Sequence, residues 1–375
     1  MSNNPLCQLI KHGQSFWYDN IQRKMLNNGE LQKMIDEDGL RGITSNPSIF
    51  EKAIANSSDY DASLLNFVKK NQGSARDAFF TLAIEDIQQA ADMLKDVYDK
   101  SEGLDGYVSL EVSPDLAYDT ERSIKEGREL FTRVGRPNAM IKIPSTKEGI
   151  PVIEQLIADG INVNATLLFS VDRYVEVANA YIRGLNARHA RGLPIHNVAS
   201  VASFFVSRVD TILDKALDEL QQDTSHLKGK MGIANAKLAY IESLELYQSD
   251  IFKTLTAAGA KQQRLLWAST GVKNPDYSDV LYIDNLIGPN TVNTIPPATA
   301  DAFRDHGTVG DTLAEELENA KKEFAEMQSL GIDIPAYMDK LEVDGVAIFE
   351  KSFENLIGAI DKKMQQLSDS NRGVA

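Results

Sequence analysis

The sequence contains very little cysteine, little histidine and fewer basic than acidic residues. Its single cysteine, Cys7, excludes a disulfide framework and a zinc site built on cysteine ligands. Its five histidines show no metal-ligand spacing, so they indicate packing or surface residues rather than a metal centre. Lys and Arg number 39 against 54 Asp and Glu, which gives a net charge of −15. This charge argues against a nucleic-acid-binding protein, because no bulk basic field would attract a polyanion.

Long hydrophobic runs are also missing. The longest of them, such as residues 201–206 with Ser203 in their middle, are far too short to span a bilayer. The first residues lack the basic segment and the apolar stretch of a signal peptide, so we expect a cytoplasmic protein with no membrane partner. The sequence has no Gly-rich nucleotide loop of the Walker or dinucleotide type, and no Gly-x-Ser-x-Gly turn around Ser269. These absences exclude a P-loop nucleotide enzyme and a serine hydrolase with that turn.

The chain has 375 residues, which is enough for two average domains but also falls within the range of a single α/β barrel. No low-complexity linker divides it. A short apolar or β-branched run followed by a helical pattern recurs at residues 15–19, 42–46, 107–112, 140–144, 162–168, 200–205, 265–270 and 291–295. Most intervals between these runs hold one helix, whereas the intervals before the third and the seventh run need extra helical material.

Eight strands that alternate with helices favour one (β/α)8 TIM barrel, an α/β fold, over residues 1–375. From about residue 300 to 375 we expect a helical tail that packs on the barrel as padding. Its apolar stripes include Val346, Phe349 and Phe353, which share one helix face. The alternative is an open parallel sheet between two helical layers.

Polar residues alternate with apolar ones inside several of these strands. In the fourth run, Ile141 and Ile143 face one way and Lys142 faces the other. In a barrel the apolar side chains of each strand would contact the surrounding helices, and the alternating polar side chains would point inward. Late in the strands, where barrel active sites form, we find Asp19, Asn46, Glu111, Lys142, Asn164 and Thr166.

Lys142 is the most informative of these residues, because an isolated charge inside a barrel is costly unless it is paired or neutralised. It could form a buried ion pair with Glu111 or Asp19 and have no chemical role. Burial also favours a neutral amine, which attacks carbonyl groups and forms a Schiff base. Since several polar groups converge on the same end, we interpret Lys142 as a nucleophile. After the sixth and seventh strands lie residues that together could bind a phosphate: Arg208, Ser269 and Lys273.

Four segments at these positions resemble the transaldolase family, and the match runs along essentially the whole chain. They are Gly42–Phe50, Val108–Val112, Met140–Ile150 and Ile161–Ser170. The chain length and the segment Trp267–Pro275 resemble the longer bacterial branch of that family. The resemblance implies a (β/α)8 barrel with the Schiff-base lysine on the fourth strand, in agreement with the strand count.

The resemblance also implies a role for each matching residue. Lys142 would form a Schiff base with the ketose C2 carbonyl, and Asp19 would take and return the C4 hydroxyl proton. Glu111 and Thr166 would hold the water that shuttles protons at C2. The substrate would be held at its hydroxyls by Asn46, Asn164 and Ser203, at the cavity wall by Phe205, and at its phosphate by Arg208, Ser269 and Lys273.

The resemblance implies a cytoplasmic transferase of the non-oxidative pentose phosphate pathway. It would move a dihydroxyacetone unit from sedoheptulose 7-phosphate or fructose 6-phosphate to glyceraldehyde 3-phosphate or erythrose 4-phosphate, with no metal or organic cofactor. The alternative is a fructose-6-phosphate aldolase-like lyase, but such relatives are shorter and carry Gln and Tyr at the positions of Glu111 and Phe205. A sugar-phosphate-binding barrel without activity would have no reason to retain Lys142 and Asp19. The sequence does not indicate an oligomeric partner.

Overall fold

A computed structural model of the chain describes residues 4–55, 57–70 and 73–372. Eight strands close into a parallel barrel in chain order, and the last strand pairs with the first. The predicted (β/α)8 barrel is therefore confirmed, and the open-sheet alternative is wrong. The strands are β1 (Gln14–Tyr18), β2 (Gly42–Ile43), β3 (Tyr107–Glu111), β4 (Ala139–Pro144), β5 (Val163–Leu168), β6 (Ser200–Phe205), β7 (Arg264–Ala268) and β8 (Thr291–Ile295).

Helices occupy the intervals between the strands. The α-helices are α1 (Pro5–Gln8), α2 (Arg23–Asn27), α3 (Glu30–Glu37), α4 (Pro47–Ala55), α5 (Asp61–Lys69), α6 (Ala75–Met93), α7 (Lys95–Lys100), α8 (Thr120–Val134), α9 (Gly149–Asp159), α10 (Val171–Ala190), α11 (Ser207–Asp218), α12 (Met231–Leu246), α13 (Asp250–Ala257), α14 (Leu281–Asp284), α15 (Pro297–His306), α16 (Leu317–Ser329) and α17 (Ile334–Arg372). Short 3-10 helices lie at Leu9–His12, Pro114–Leu116 and Ser225–Leu227. The long connections carry α4 to α7 and α11 to α13, which confirms the extra helical material expected there.

In the described part of the chain, no helix is both long enough and apolar enough to cross a membrane.

Two buried clusters confirm the predicted division of strand side chains between the two faces of the barrel wall. The first cluster contains Ile141 and Ile143 together with helix residues such as Leu156, so it lies between the strands and the helices. The second contains residues of the opposite parity, among them Trp17 and Met140, inside the barrel. Lys142 has the parity of Met140 and therefore points inward.

Strand β5 departs from this alternation at Leu167. The sequence pattern groups Leu167 with Val163 and Ala165, yet Leu167 belongs to the inner cluster while Leu168 joins the outer one. The reason is the backbone: Leu167 has φ of 60°, and the pairing of β5 with β6 shifts register between Ala165 and Leu168. A residue in this left-handed conformation reverses the parity of the residues that follow it.

A buried ion pair that the sequence analysis did not identify lies at the amino-terminal end of the barrel. Arg264 Nη2 lies 2.8 Å from Asp105 Oδ1, and both side chains are at least nine-tenths buried. Ser15 Oγ and Trp17 Nε1 donate hydrogen bonds to the same carboxylate at 2.8 and 3.2 Å. Burial raises the pKa of Asp105, but Arg264 and these hydrogen bonds outweigh it and hold the pKa below its ordinary value.

We expect Arg264→Ala to lower the free energy of unfolding by about 3 kcal/mol, because it removes the nearest cation from the buried Asp105 carboxylate and leaves the more distant Arg41. Arg41 Nη1 lies 3.6 Å from that carboxylate. Urea unfolding followed by circular dichroism would measure the loss. Arg133→Ala, which removes an exposed pair with Glu129, is the control and is expected to change stability by less than about 0.5 kcal/mol. Equal effects of the two substitutions would contradict the role of the buried pair.

Candidate active site

A cavity of about 430 Å³ opens at the carboxyl end of the barrel strands. Nine of the eleven site residues predicted from the sequence line it. The other two, Glu111 and Asn164, are buried and contact lining residues from below. The nine lining residues are Asp19, Asn46, Lys142, Thr166, Ser203, Phe205, Arg208, Ser269 and Lys273.

Lys142 lies at the floor of this cavity. Its Nζ donates a hydrogen bond to the Ser45 carbonyl at 2.9 Å and lies 3.3 Å from Glu111 Oε2. Glu111 on β3 is the register partner of Lys142 on β4, and both side chains are about 5% exposed. Burial raises the pKa of Glu111, although Lys142 opposes this effect. The ion pair considered from the sequence therefore exists, and its carboxylate is one whose pKa burial raises.

Asp19 follows β1 directly and faces the same cavity. Its backbone N–H donates to the Ile295 carbonyl at 3.0 Å, which fixes the residue against β8. Thr44 Oγ1 donates to Asp19 Oδ1 at 2.7 Å and lies 2.6 Å from Thr294 Oγ1. Burial raises the pKa of Asp19. The Thr44 hydrogen bond and the charge of Lys142 lower it, but their effect is smaller, so the pKa stays above its ordinary value. A carboxylate with a raised pKa is suited to general base catalysis.

Strand β5 contributes two polar side chains with different surroundings. Thr166 Oγ1 is buried, lines the cavity and has no hydrogen-bond partner among the described residues, so it is available to a water molecule or a substrate. Asn164 instead donates to Ser109 Oγ at 3.1 Å and accepts from Ser203 Oγ at 2.7 Å. These bonds place Asn164 where it orients Ser203 toward the cavity.

Asn46 lies beyond its strand rather than at its end. We expected a strand over residues 42–46, but β2 ends at Ile43 and helix α4 begins at Pro47. Asn46 instead caps the helix, because its Oδ1 accepts the Ile49 backbone N–H at 3.0 Å. The amide nitrogen remains available to donate to a hydroxyl in the cavity.

Two further cationic side chains, Arg208 and Lys273, line the cavity. The Arg208 guanidinium lies in the first turn of α11, 5.2 Å above the Phe205 ring, and no carboxylate of the described residues lies within ion-pair distance. Ser269 has φ of 55° and its Oγ lies 2.9 Å from Ser207 Oγ, at the start of the same helix. Lys273 lines the rim. A helix N-terminus beside an unpaired guanidinium favours an anion.

Several lining residues were not identified from the sequence. Thr44 lies two residues before Asn46 on the predicted strand, so the alternation of side chains could have identified it as a residue of the cavity. Phe349 on α17 was assigned to the helical padding, yet its ring centre lies 6.0 Å from Lys142 Nζ. No local pattern could show that this face of α17 meets the cavity. The others are Asn20, Gln22, Ser48, Ile49, Lys52, Ala268, Gly271, Thr294, Pro296 and Pro297.

The described residues do not form a cluster of acidic, histidine or cysteine side chains that could bind a metal ion. Within residues 4–55, 57–70 and 73–372, no group of three or more His, Cys, Asp or Glu side chains could hold a metal ion. The ionisable groups that the cavity offers include Lys142 with its partner Glu111, the carboxylate of Asp19, and the cations Arg208 and Lys273. This set can perform amine and acid–base chemistry on a substrate that carries an anion.

Comparison with known proteins agrees with this chemistry. The family model described as "Transaldolase/Fructose-6-phosphate aldolase" matches residues 16–360. The chain is 47% identical to the transaldolase of Trichodesmium erythraeum, over 98% of this chain and 100% of that protein. It is 46% identical to transaldolase 2 of Nostoc punctiforme, with the same coverage, and 45% identical to the transaldolase of Saccharopolyspora erythraea over 97% and 99% of the two chains. The resemblance seen in the sequence is thereby confirmed, and the chain belongs to the transaldolase/fructose-6-phosphate aldolase family.

Proposed function

We propose that this protein is a transaldolase that transfers a dihydroxyacetone unit between sugar phosphates through a Schiff base on Lys142. The observation that carries the proposal is the buried Lys142 Nζ, 3.3 Å from Glu111, at the floor of a cavity that is also lined by Arg208, which has no ion-pair partner among the described residues. The names of the relatives support transfer as the reaction. We place the enzyme in the cytoplasm and in the non-oxidative pentose phosphate pathway.

Schiff-base formation requires proton transfers at Lys142. The ammonium gives a proton to Glu111, and the neutral amine attacks C2 of the ketose phosphate. The carbinolamine hydroxyl then takes a proton and leaves as water, which produces the iminium ion. Glu111, which lies beside Lys142, and Thr166, whose hydroxyl has no partner among the described residues, are the groups assigned to hold this water.

Cleavage and transfer use Asp19. Its carboxylate takes the C4 hydroxyl proton, the C3–C4 bond breaks, and its electron pair moves into the iminium to give an enamine. The aldose phosphate leaves as an aldehyde, and another aldose phosphate replaces it. The enamine C3 attacks this aldehyde while Asp19 returns its proton to the new C4 oxygen. Donor and acceptor carry their phosphates at the same end, so one anion site at Arg208, Ser269 and Lys273 serves both.

Reduction of the intermediate tests the proposal directly. Incubation with fructose 6-phosphate followed by borohydride should add the reduced sugar fragment to the peptide that contains Lys142 and to no other peptide. Lys52 and Lys273, which also line the cavity, are internal controls. Attachment to another lysine, or no attachment, would contradict the mechanism. Release of dihydroxyacetone at the full rate without an acceptor aldehyde would favour the lyase alternative.

The pH dependence of kcat/KM for the proposed reaction should shift when Thr44 is replaced by valine. The Thr44 hydrogen bond lowers the pKa of Asp19, so its loss raises that pKa further. Because Asp19 must be ionised to take the C4 proton, we expect the acidic limb of the kcat/KM profile to move to higher pH. Thr294→Val leaves the bond between Thr44 and Asp19 in place and should move the limb less. An unchanged limb in Thr44→Val would refute the role given to Thr44.

A further inference from the structure

The C-terminal helix α17 forms one wall of the active-site cavity. It comes close to the barrel at Gly345, where an added Cβ would lie 3.1 Å from Leu167 Cδ2 and 3.5 Å from Arg208 Nη1. On either side the helix is held by polar contacts. Ser352 Oγ lies 2.7 Å from Ser48 Oγ, and Glu342 pairs with Arg173 at 3.3 Å. These contacts fix the face of α17 that carries Phe349.

The Phe349 ring lies beside the path that a bound sugar phosphate must take. Its centre is 6.0 Å from Lys142 Nζ and 6.0 Å from the Arg208 guanidinium carbon. The side chain is buried at 5% exposure and lines the cavity. A ketose held at C2 by Lys142 and at its phosphate by Arg208 runs between these two groups. In the proposed mechanism the C3–C4 bond would lie on that stretch, on the cavity side that the Phe349 ring lines.

The enamine formed by cleavage can react in two ways. It can attack an aldehyde through C3, which is the transfer reaction. It can instead take a proton from water at C3 and become an iminium ion again, to which a water molecule adds at C2. The resulting carbinolamine expels the Lys142 amine and releases dihydroxyacetone, so that one water is consumed in total. Hydrolysis at C2 occurs in both reactions, and protonation at C3 is the step that diverts the enamine from transfer.

We infer that Phe349 is a specificity-determining residue, whose ring keeps proton-donating water away from C3 of the enamine and so favours transfer over release. This inference rests on the proposed function. An apolar ring offers no hydrogen bond to water, and exclusion of water is a known means of preventing side reactions of intermediates. In the proposed mechanism the water needed at C2 is held by polar residues instead, Glu111 and Thr166.

The ratio of dihydroxyacetone released to product transferred tests this inference. With fructose 6-phosphate and a fixed concentration of erythrose 4-phosphate, we expect Phe349→Ala to raise the ratio about tenfold, as water gains access to C3. Phe349→Leu, which keeps an apolar side chain, should raise it less. Ile348→Ala is the matched control, because Ile348 is the neighbour on the same helix and is 49% exposed. In deuterium oxide the released dihydroxyacetone should carry one deuterium on carbon, as protonation at C3 requires.

The outcomes separate the inference from the proposed function. An unchanged ratio in both Phe349 variants, with native circular dichroism, would overturn the role of Phe349. If Phe349→Ala does not fold, the ratio of Phe349→Leu against that of Ile348→Ala decides the question in the same way. Absence of transfer by the unaltered protein would instead overturn the proposed function.

Discussion

Lys142→Ala should abolish both transfer and the borohydride-trapped adduct. The substitution removes the amine that lies on the cavity floor beside Glu111, and in the proposed mechanism no iminium can then accept the electrons of the C3–C4 bond. Loss of a covalent nucleophile typically costs a factor of about 10⁴ or more in turnover. A coupled assay with fructose 6-phosphate and erythrose 4-phosphate would measure the loss.

The Lys142→Ala protein should still fold. Removal of the lysine leaves Glu111 buried without its cation, but burial raises the pKa of Glu111 and the loss of Lys142 raises it further, which favours the neutral acid. We therefore expect native circular dichroism from the inactive variant. Lys147→Ala replaces an exposed lysine a short distance along the same segment and is the control, with unchanged activity. Retention of more than about a hundredth of the activity by Lys142→Ala would be inconsistent with the Schiff-base mechanism.

Asp19→Ala should separate Schiff-base formation from cleavage. In the proposed mechanism Asp19 acts on the C4 hydroxyl, whereas Glu111 and Thr166 serve the C2 chemistry, so the variant should still form the trapped adduct on Lys142. Loss of a general base slows the step it serves by about 10² to 10⁴. Borohydride trapping would report the adduct, and release of glyceraldehyde 3-phosphate from fructose 6-phosphate would report the cleavage.

Asp19→Asn distinguishes loss of charge from loss of volume. It keeps the shape of the side chain and can still contact Thr44, but its amide cannot take a proton. We expect the same loss of cleavage as in Asp19→Ala, with the adduct preserved. Cleavage at the normal rate in Asp19→Asn would show that another group removes the C4 proton.

The barrel and the floor of the site could be predicted because both depend on short-range patterns. Alternation along β4 placed Lys142 inside the barrel, and the end of each strand placed Asp19 and Glu111 near the same rim. The same alternation failed at Leu167, since a single left-handed residue reverses the parity and no sequence rule marks this position.

Contacts between distant segments were beyond such patterns. Arg264 meets Asp105 across the barrel, 159 residues apart in the chain. Phe349 lies near Lys142 because α17 packs on the carboxyl end of the barrel. The apolar stripe of α17 predicts that this face is buried, but it does not indicate which surface covers it. Asn46 shows an intermediate case, because its role as a helix cap depended on where α4 begins.

The position of Phe349 in the chain has a consequence for biosynthesis. All eight strands have been synthesised once Ile295 is added, but the wall over Lys142 is encoded more than fifty residues later, on α17. A nascent chain in which the barrel had already closed would expose a nucleophilic amine to open solvent and to every small carbonyl compound in it. The later synthesis of α17 therefore also restricts access to the lysine.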